Sequence, residues 1–190
     1  MQKHIITLSG FPGSGKSSTG KRLAEMLGYK RYSSGDFMRE VGQRHGLSIE
    51  ETNKAAETNP TFDQEVDAAV QAKGREEDLV IDSRTAFHWI PQSFKVLLTI
   101  DTTLAAKRIF AQMQNEGRFA EEATSIEGVL QSLIARMESE FRRYREKYGI
   151  DYSDESQFDL VINTADFPLE EVVKRIATAY TERLTTSTRG

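Results

Sequence analysis

A short stretch near the beginning of the chain constrains the fold more than any other feature. Its residues are Gly10-Phe11-Pro12-Gly13-Ser14-Gly15-Lys16-Ser17. They follow an apolar, β-branched run at residues 4–8 and precede a helical pattern that ends at Gly28. The pattern G-x-x-x-x-G-K-[ST] between a buried strand and a helix is typical of a loop that binds nucleotide phosphates. The sequence therefore predicts a nucleoside triphosphate site.

Each residue type in this loop has a chemical reason. Glycines adopt backbone angles that side chains resist, and they let successive N–H groups approach phosphate oxygens. The following helix adds the positive end of its dipole. We expect Lys16 to contact the β- and γ-phosphates and the Ser17 hydroxyl to ligate Mg²⁺. Ser18 is either a further hydroxyl near the α-phosphate or an ordinary first-turn serine. The predicted nucleotide-binding loop residues are Gly10, Pro12, Gly13, Ser14, Gly15, Lys16, Ser17 and Ser18.

The rest of the chain alternates short apolar runs with helical patterns. Further strands are predicted at residues 29–33, 79–81, 94–100 and 160–162. Helices are predicted in pieces over 35–73, broken near Gly46 and Asn59-Pro60, and over 102–114, 127–148 and 169–184. Such alternation predicts a five-stranded parallel sheet covered by helices on both faces, an α/β/α sandwich. We expect one domain over residues 1–184 and a frayed tail over 185–190.

Composition narrows the class of protein. The chain has 190 residues, of which 25 are Lys or Arg and 29 are Asp or Glu, for a formal net charge of −4. This balance gives no reason to expect binding to nucleic acid or to an anionic membrane. No cysteine is present, which excludes disulfides and thiolate metal sites and is compatible with a cytoplasmic protein. The apolar run at 4–8 is too short for a signal-peptide core or a membrane span.

Acidic residues follow two of the predicted strands. Asp82 ends the run Leu79-Val80-Ile81 and either contacts Mg²⁺ beside the phosphate loop or caps a helix; we favour the metal. Asp101 precedes Thr102-Thr103 and a helix, so we interpret it as a cap.

Arginines supply the second set of candidates. Arg39 and Arg84 either bind an acceptor phosphate through their planar donor groups or are solvated surface residues. Arg136, Glu140 and Arg143 are spaced by four and three residues, so they share one face of a helix. That face is either ordinary surface ion pairing or a lid that neutralises a phosphoryl group in transfer.

The ordered set of motifs resembles a nucleoside monophosphate (NMP) kinase, closest to the short, archaeal-type cytidylate kinases of the P-loop superfamily. The stretches that carry the resemblance are the phosphate loop, Ser33-Ser34-Gly35-Asp36-Phe37-Met38-Arg39, Val80-Ile81-Asp82-Ser83-Arg84, Glu138-Ser139-Glu140 to Tyr144, Tyr148-Gly149-Ile150-Asp151, and Asp159-Leu160-Val161-Ile162-Asn163-Thr164. The resemblance implies a helical NMP-binding insert at about residues 35–75 and a short helical lid at about 112–145. The segment between Arg108 and Arg136 is longer than in short members, and Gln112 stands where larger-lid relatives place an arginine.

The resemblance also implies roles for individual residues. Arg39 and Arg84, with Ser34 and Asp36 beside them, would bind the acceptor monophosphate. Asp36 and Asp82 would orient Mg²⁺. Arg136 and Arg143 would hold the transferred phosphoryl group with Glu140 positioning them, and Arg108 would lie against the donor base. The catalytic set is therefore Lys16, Arg84, Arg136 and Arg143, with ATP and Mg²⁺ as donor and metal.

Selection of the acceptor base is the least constrained feature of the site. Cytosine carries an exocyclic amine, and a carboxylate can accept a hydrogen bond from it. Asp63 and Asp67 are four residues apart on a predicted helix, so they either share a face that reads this amine or form a solvated acidic face. Other acceptors remain as alternatives: AMP, UMP, shikimate, a nucleoside or dephospho-coenzyme A. A nucleotide-dependent regulatory protein is a further alternative, and a monomer is the default oligomeric state.

Overall fold

Five parallel strands form the centre of the fold. The computed structural model describes residues 4–48, 51–52, 55, 59–116 and 125–187. Within these ranges, the strands are β1 (Ile5–Gly10), β2 (Lys30–Ser33), β3 (Leu79–Asp82), β4 (Phe94–Thr99) and β5 (Leu160–Asn163). They pair in the order β2-β3-β1-β4-β5, so β1 is central. Strands β3 and β2 extend the sheet on one side of β1, and β4 and β5 extend it on the other. Ligands of open parallel sheets bind where the strand order reverses in this way, outside the carboxyl ends of the strands.

The helices that the structure describes cover both faces of the sheet. They are α1 (Lys16–Leu27), α2 (Ser34–Arg44), α3 (Pro60–Lys73), α4 (Ala86–Trp89), α5 (Thr102–Glu116), α6 (Ile126–Tyr148) and α7 (Leu169–Ser187), with a 3₁₀ turn at Glu155–Gln157. None of the described helices is long and apolar enough to cross a membrane.

The core divides into two layers because strand side chains alternate between faces. Ile6 and Leu8 of β1 pack with Val173 and Ile176 of α7, together with α1. Ile5 faces the other way and packs with residues of α2 and α3 such as Phe37 and Val70. These layers confirm the predicted α/β/α sandwich with a parallel sheet.

Most predicted elements agree with the structure to within a few residues. The final helix differs most at its end, since α7 continues to Ser187 instead of ending at residue 184. The hydroxyls of Thr185 and Thr186 each donate to the carbonyl oxygen of Glu182, at 2.8 and 2.9 Å, and satisfy groups in this last turn. The predicted frayed tail therefore includes a helical turn. Helix α4 was not predicted, because a single turn has too few residues for periodicity to be detected.

Parts of the predicted insert and lid lie outside the described residues. These parts are residues 49–50, 53–54 and 56–58 of the insert and residues 117–124 of the lid, as well as 188–190 of the tail. All the predicted site residues lie within the described ranges.

Candidate active site

The phosphate loop connects the central strand to helix α1. Gly13 and Gly15 both have φ of +78°, in the left-handed region that favours glycine. An added Cβ at Gly13 would lie 2.8 Å from the Cβ of Ala105 in α5. The loop is therefore fixed by a conformation and by a close contact that larger residues cannot reproduce.

The N-terminus of α1 is open to a ligand. Its N-cap residue is Gly15, which provides no side-chain cap, and its first turn has no acidic residue. Ser17 and Ser18 are exposed there, whereas the buried Ser14 hydroxyl has no hydrogen-bond partner among the described residues. Uncapped N–H groups at the positive end of a helix dipole are suited to binding phosphate.

A cavity of about 540 Å³ lies over this loop. The residues that line it are Phe11, Pro12, Gly13, Gly15, Lys16, Ser17, Ser18, Arg84, Arg108, Ile109, Gln112 and Arg136. Arg108 donates from its guanidinium to the hydroxyl and the carbonyl oxygen of Thr164, at 3.2 and 2.9 Å. The cavity thus combines phosphate-binding groups at one end with Arg108 and Ile109 at the other, and we call it the donor cavity.

Asp82 lies at the carboxyl end of β3 with only 1% of its surface exposed. Its Oδ1 atom accepts from the Lys16 ammonium, and its Oδ2 atom accepts from Arg31 at 2.8 Å. Burial alone would raise the pKa of Asp82, but the two cations outweigh burial and hold the pKa below its ordinary value. Burial lowers the pKa of Lys16 despite the attraction of Asp82. Asp82 is therefore the buried counter-ion of the loop lysine in this state of the protein.

A second cavity of about 500 Å³ adjoins the first on the side of α2, α3 and α6. The residues that line it are Ser34, Gly35, Met38, Arg39, Asp63, Val66, Asp67, Ser83, Arg84, Thr85, Arg136, Glu140, Arg143, Tyr144 and Tyr148. We call it the acceptor cavity. It brings together the predicted acceptor residues Ser34, Arg39, Asp63, Asp67 and Arg84 with the predicted lid residues of α6.

The two cavities meet at Arg84 and Arg136, which line both. Glu140 holds this junction: its Oε2 lies 2.9 Å from Nε of Arg84, and its Oε1 accepts from Nε of Arg136 at 3.0 Å. The Tyr152 hydroxyl donates to the same carboxylate at 3.4 Å. A phosphoryl group passing from one cavity to the other would move between these arginines, where positive charge offsets its negative oxygens.

Asp36 has a different position from the one that the sequence suggested. It lines neither cavity, and its Oδ2 accepts from the backbone N–H and the hydroxyl of Ser33, both at 2.7 Å. Arg39 pairs with its other oxygen. Ser33 and Asp36 form a capping box at the start of α2, so both carboxylate oxygens of Asp36 have partners at this end of the helix. The role of Asp36 toward Mg²⁺ stays a prediction. Gly10 and Ser14 also line neither cavity, because both are buried on the side of the loop that packs against the protein.

Comparison with known proteins agrees with this geometry. A family model described as an AAA domain matches residues 9–127. The cytidylate kinase of Methanothrix thermoacetophila is 36% identical over 160 residues, which cover 84% of this chain and 88% of that enzyme. An S-adenosylmethionine-dependent nucleotide dehydratase of Lacinutrix mariniflava is 36% identical over 180 residues, 94% of this chain. The chain spans only 36% of that relative's length.

The chain belongs to the cytidylate kinase-like family of P-loop kinases. A solved structure of shikimate kinase from Bacteroides thetaiotaomicron has a TM-score of 0.62 and 17% identity, covering 91% of this chain and 96% of that one. At that identity the likeness establishes the fold alone. The P-loop kinase fold therefore has both sequence and structural support.

Three residues that line the acceptor cavity or contact Asp82 were not among the predicted site residues. Arg31 is one, because an arginine in an edge strand has no motif to identify it. Tyr144 and Tyr148 are the others, and they line the acceptor cavity from α6. Their spacing from Glu140, by four and eight residues on one helix, was a signal that the sequence contained.

The Mg²⁺ ion that the sequence analysis predicts has candidate ligands in this structure. Ser17 offers an exposed hydroxyl, and Asp82 offers a carboxylate whose two oxygens are engaged by Lys16 and Arg31. Among the described residues, no group of three or more His, Cys, Asp or Glu could hold a metal by itself. Mg²⁺ commonly takes one or two protein ligands and completes its shell with waters and substrate phosphates, so these residues fit such a shared site.

Proposed function

We propose that the protein is a nucleoside monophosphate kinase that transfers the γ-phosphoryl group of ATP to CMP or dCMP, giving ADP and CDP or dCDP. The observation that supports this most directly is the pair of adjoining cavities with two shared arginines. A nucleotide hydrolase needs one nucleotide cavity, whereas a transferase needs a second one for the acceptor. Arginines on the acceptor side favour an acceptor that carries a phosphate.

The proposed mechanism relies on positioning and charge. Phosphoryl transfer needs little covalent chemistry from the protein, because an acceptor phosphate is already ionised at neutral pH. The loop N–H groups and Lys16 hold the donor phosphates, and Arg39 and Arg84 hold the acceptor phosphate. Ser17 and Asp82 would hold Mg²⁺, which would neutralise charge on the donor phosphates. Arg136 and Arg143 add positive charge as α6 closes over the cavities.

Lys16 must change its partner for this function. Its ammonium contacts Asp82 in the structure, so binding of a triphosphate requires the lysine to exchange that carboxylate for phosphate oxygens. A lysine side chain has several rotatable bonds and can make such an exchange without backbone movement. The exchange also frees one oxygen of Asp82, a residue that would help to hold Mg²⁺.

Asp63 and Asp67 are proposed to select the acceptor base. Lys147 donates to Asp63 at 2.8 Å, and the Tyr148 hydroxyl donates to Asp67, so both carboxylates already accept hydrogen bonds at the wall of the acceptor cavity. A cytosine amine is the same kind of donor. Uracil has a carbonyl oxygen at that position, which a carboxylate would repel. The names of the relatives, cytidylate kinase and nucleotide dehydratase, also favour a nucleotide acceptor over shikimate.

An acceptor screen tests the proposal. ADP release from ATP is coupled to a spectroscopic readout with CMP, dCMP, UMP, AMP, GMP and shikimate, using Lys16→Ala as the inactive control. We expect CMP or dCMP to give the highest kcat/KM. Stimulation by another acceptor would keep the kinase and change its substrate. Slow ATP hydrolysis that no acceptor stimulates would reject the kinase in favour of a regulatory nucleotide-binding protein.

The base-selection step has its own test. Asp63→Asn and Asp67→Asn are compared with Glu65→Gln, a carboxylate on the same helix that does not line the cavity. We expect at least one of the two aspartate variants to lose most of the preference for CMP over UMP. If both keep the wild-type ratio of kcat/KM values, the two aspartates do not read the base.

A further inference from the structure

Arg31 occupies an unusual position for an arginine in an edge strand. It lies on β2, whose residues Arg31 and Ser33 pair in register with Val80 and Asp82 of β3. Its side chain is 26% exposed and donates to the buried carboxylate of Asp82 at 2.8 Å. Its Nε atom is buried and has no hydrogen-bond partner among the described residues. The guanidinium therefore binds the Asp82 carboxylate while its buried Nε donor stays unsatisfied, which is uncommon for a buried polar group.

Helix α1 accommodates this arginine with a glycine. A Cβ added at Gly20 would lie 3.3 Å from Nε of Arg31 and 3.5 Å from Cβ of Asp82. Glycine inside a helix is unfavourable, so a structural reason is expected for it. Here the missing side chain lets α1 approach the pair formed by Arg31 and Asp82. The phosphate loop, the helix that follows it and the ion pair are therefore packed as one unit.

We propose that Arg31 is a positioning residue that neutralises Asp82 when Lys16 moves to the donor phosphates. In the structure the two oxygens of Asp82 accept from two different cations. Binding of a triphosphate removes one of them, and a buried carboxylate left without a counter-ion is strongly unfavourable. Because Arg31 stays on Oδ2, the exchange made by Lys16 does not leave that carboxylate unpaired, whether or not Mg²⁺ is also bound beside it. The inference rests on the proposed binding of ATP and holds for any acceptor.

The obvious alternative is that Arg31 only attaches the edge strand β2 to β3. Stability alone does not distinguish the two roles, because both predict a lower melting temperature on removal of Arg31. They differ in nucleotide affinity and in its dependence on Asp82. If Arg31 has a purely structural role, its replacement leaves the ATP affinity of the folded protein unchanged. The proposed role predicts that replacement of Arg31 lowers ATP affinity when Asp82 is present and has little effect in the Asp82→Asn background.

The experiment is a double-mutant cycle read by calorimetric titration of ATP with EDTA present and no acceptor, so that Mg²⁺ cannot supply charge at Asp82 in place of Arg31. The variants are Arg31→Gln, Arg31→Lys, Asp82→Asn and Arg31→Gln with Asp82→Asn, and Lys30→Gln on the same strand is the matched control. We expect Arg31→Gln to weaken ATP binding about tenfold or more, as loss of a charge-assisted hydrogen bond would. Arg31→Lys should recover most of that loss. In the Asp82→Asn background, Arg31→Gln should change the affinity by less than about twofold, because the coupled partner is absent.

The outcomes separate this inference from the proposed function. Wild-type protein that binds no triphosphate would overturn the proposed function, and the inference with it. Wild-type protein that binds ATP, with Arg31→Gln binding equally well, would overturn the inference alone. An equal loss in the Asp82→Asn background would do the same. If Arg31→Gln does not fold, Arg31→Met replaces it in the cycle, because it keeps an aliphatic stem and also removes the charge. The same loss of ATP affinity is then expected with Asp82 present and not in the Asp82→Asn background, and equal binding by Arg31→Met and wild type would overturn the inference.

Discussion

Glu140 is the residue whose replacement tests the junction of the two cavities most sharply. The change is Glu140→Gln, which keeps the shape of the side chain and removes its charge. Side-chain exposure is 11% for Glu140, 15% for Arg84 and 60% for Arg136. Two ion pairs with very different solvent exposure are therefore lost together.

The expected loss of stability follows from this difference in solvent exposure between the two ion pairs. Loss of one partner of a fully buried ion pair costs about 3–5 kcal/mol, and an exposed pair contributes roughly 0–1 kcal/mol. Because Arg84 is mostly but not fully buried, and because Gln still accepts a hydrogen bond, we expect a loss of about 2 kcal/mol in the free energy of unfolding. For a domain of this size that corresponds to a decrease in melting temperature of roughly 4–8 °C. Displacement of the two arginines should also lower kcat by about 10- to 100-fold.

The assay combines thermal unfolding with steady-state kinetics. Glu138→Gln is the control, since Glu138 is exposed on the same helix and lines neither cavity. We expect the control to stay within about 0.5 kcal/mol of wild type, as surface substitutions do. A Glu140→Gln variant that matches this control in both melting temperature and kcat would refute the role assigned to the junction.

Three further predictions concern the loop, the acceptor wall and the donor base. Gly13→Ala should abolish ATP binding in a calorimetric titration and lower the melting temperature, because its φ of +78° and the contact 2.8 Å from Ala105 leave no room for a methyl group; normal affinity would contradict this. Burial raises the pKa of Asp67 in the folded protein above its ordinary value of 3.8, so folding favours the protonated carboxyl group. The stability that this group contributes is present below pH 3.8 and is lost as pH rises through the higher folded-state pKa. Asp67→Asn should therefore gain melting temperature relative to wild type as pH rises through that window, and a difference that is constant with pH would contradict it. Arg108→Ala should raise the KM for ATP several-fold while changing stability by less than about 1 kcal/mol, because its hydrogen bonds to Thr164 are at the exposed edge of the donor cavity; an unchanged KM would remove Arg108 from the donor site.

The fold could be predicted from the sequence because its signals are local. The phosphate loop fixes a strand before it and a helix after it, and apolar runs ending at Asp82 and at Asn163 mark strands that the structure contains. The helix cap predicted at Asp101 is confirmed. Its carboxylate accepts from the backbone N–H of Leu104 at 3.0 Å, at the start of α5. The order of the strands was not specified by these signals, because it depends on which apolar faces pack together.

The site was predicted less completely because partners depend on that order. Asp82 was correctly associated with the loop, but its pairing with Arg31 requires β2 to lie beside β3. Asp36 was assigned to a metal from family resemblance, and the three-residue spacing of Ser33 and Asp36, which suits the capping box seen in the structure, was not used. In that case the shorter-range interaction determined the side chain's position. Tyr144 and Tyr148 line the acceptor cavity, and their spacing from Glu140 along α6 was present in the sequence. The family resemblance assigned no role to either tyrosine.

Helix α6 lines both cavities, so a movement of this helix changes both of them. Arg136 lines both of them, and Arg143, Tyr144 and Tyr148 line only the acceptor cavity. Because these residues belong to one continuous helix of 23 residues, a movement of α6 toward the donor phosphates also moves the acceptor wall. The contacts of α6 with α3, from Lys147 to Asp63 and from Tyr148 to Asp67, oppose that movement until an acceptor replaces them. Donor and acceptor binding should therefore be positively coupled, and each substrate should lower the dissociation constant of the other by the same factor.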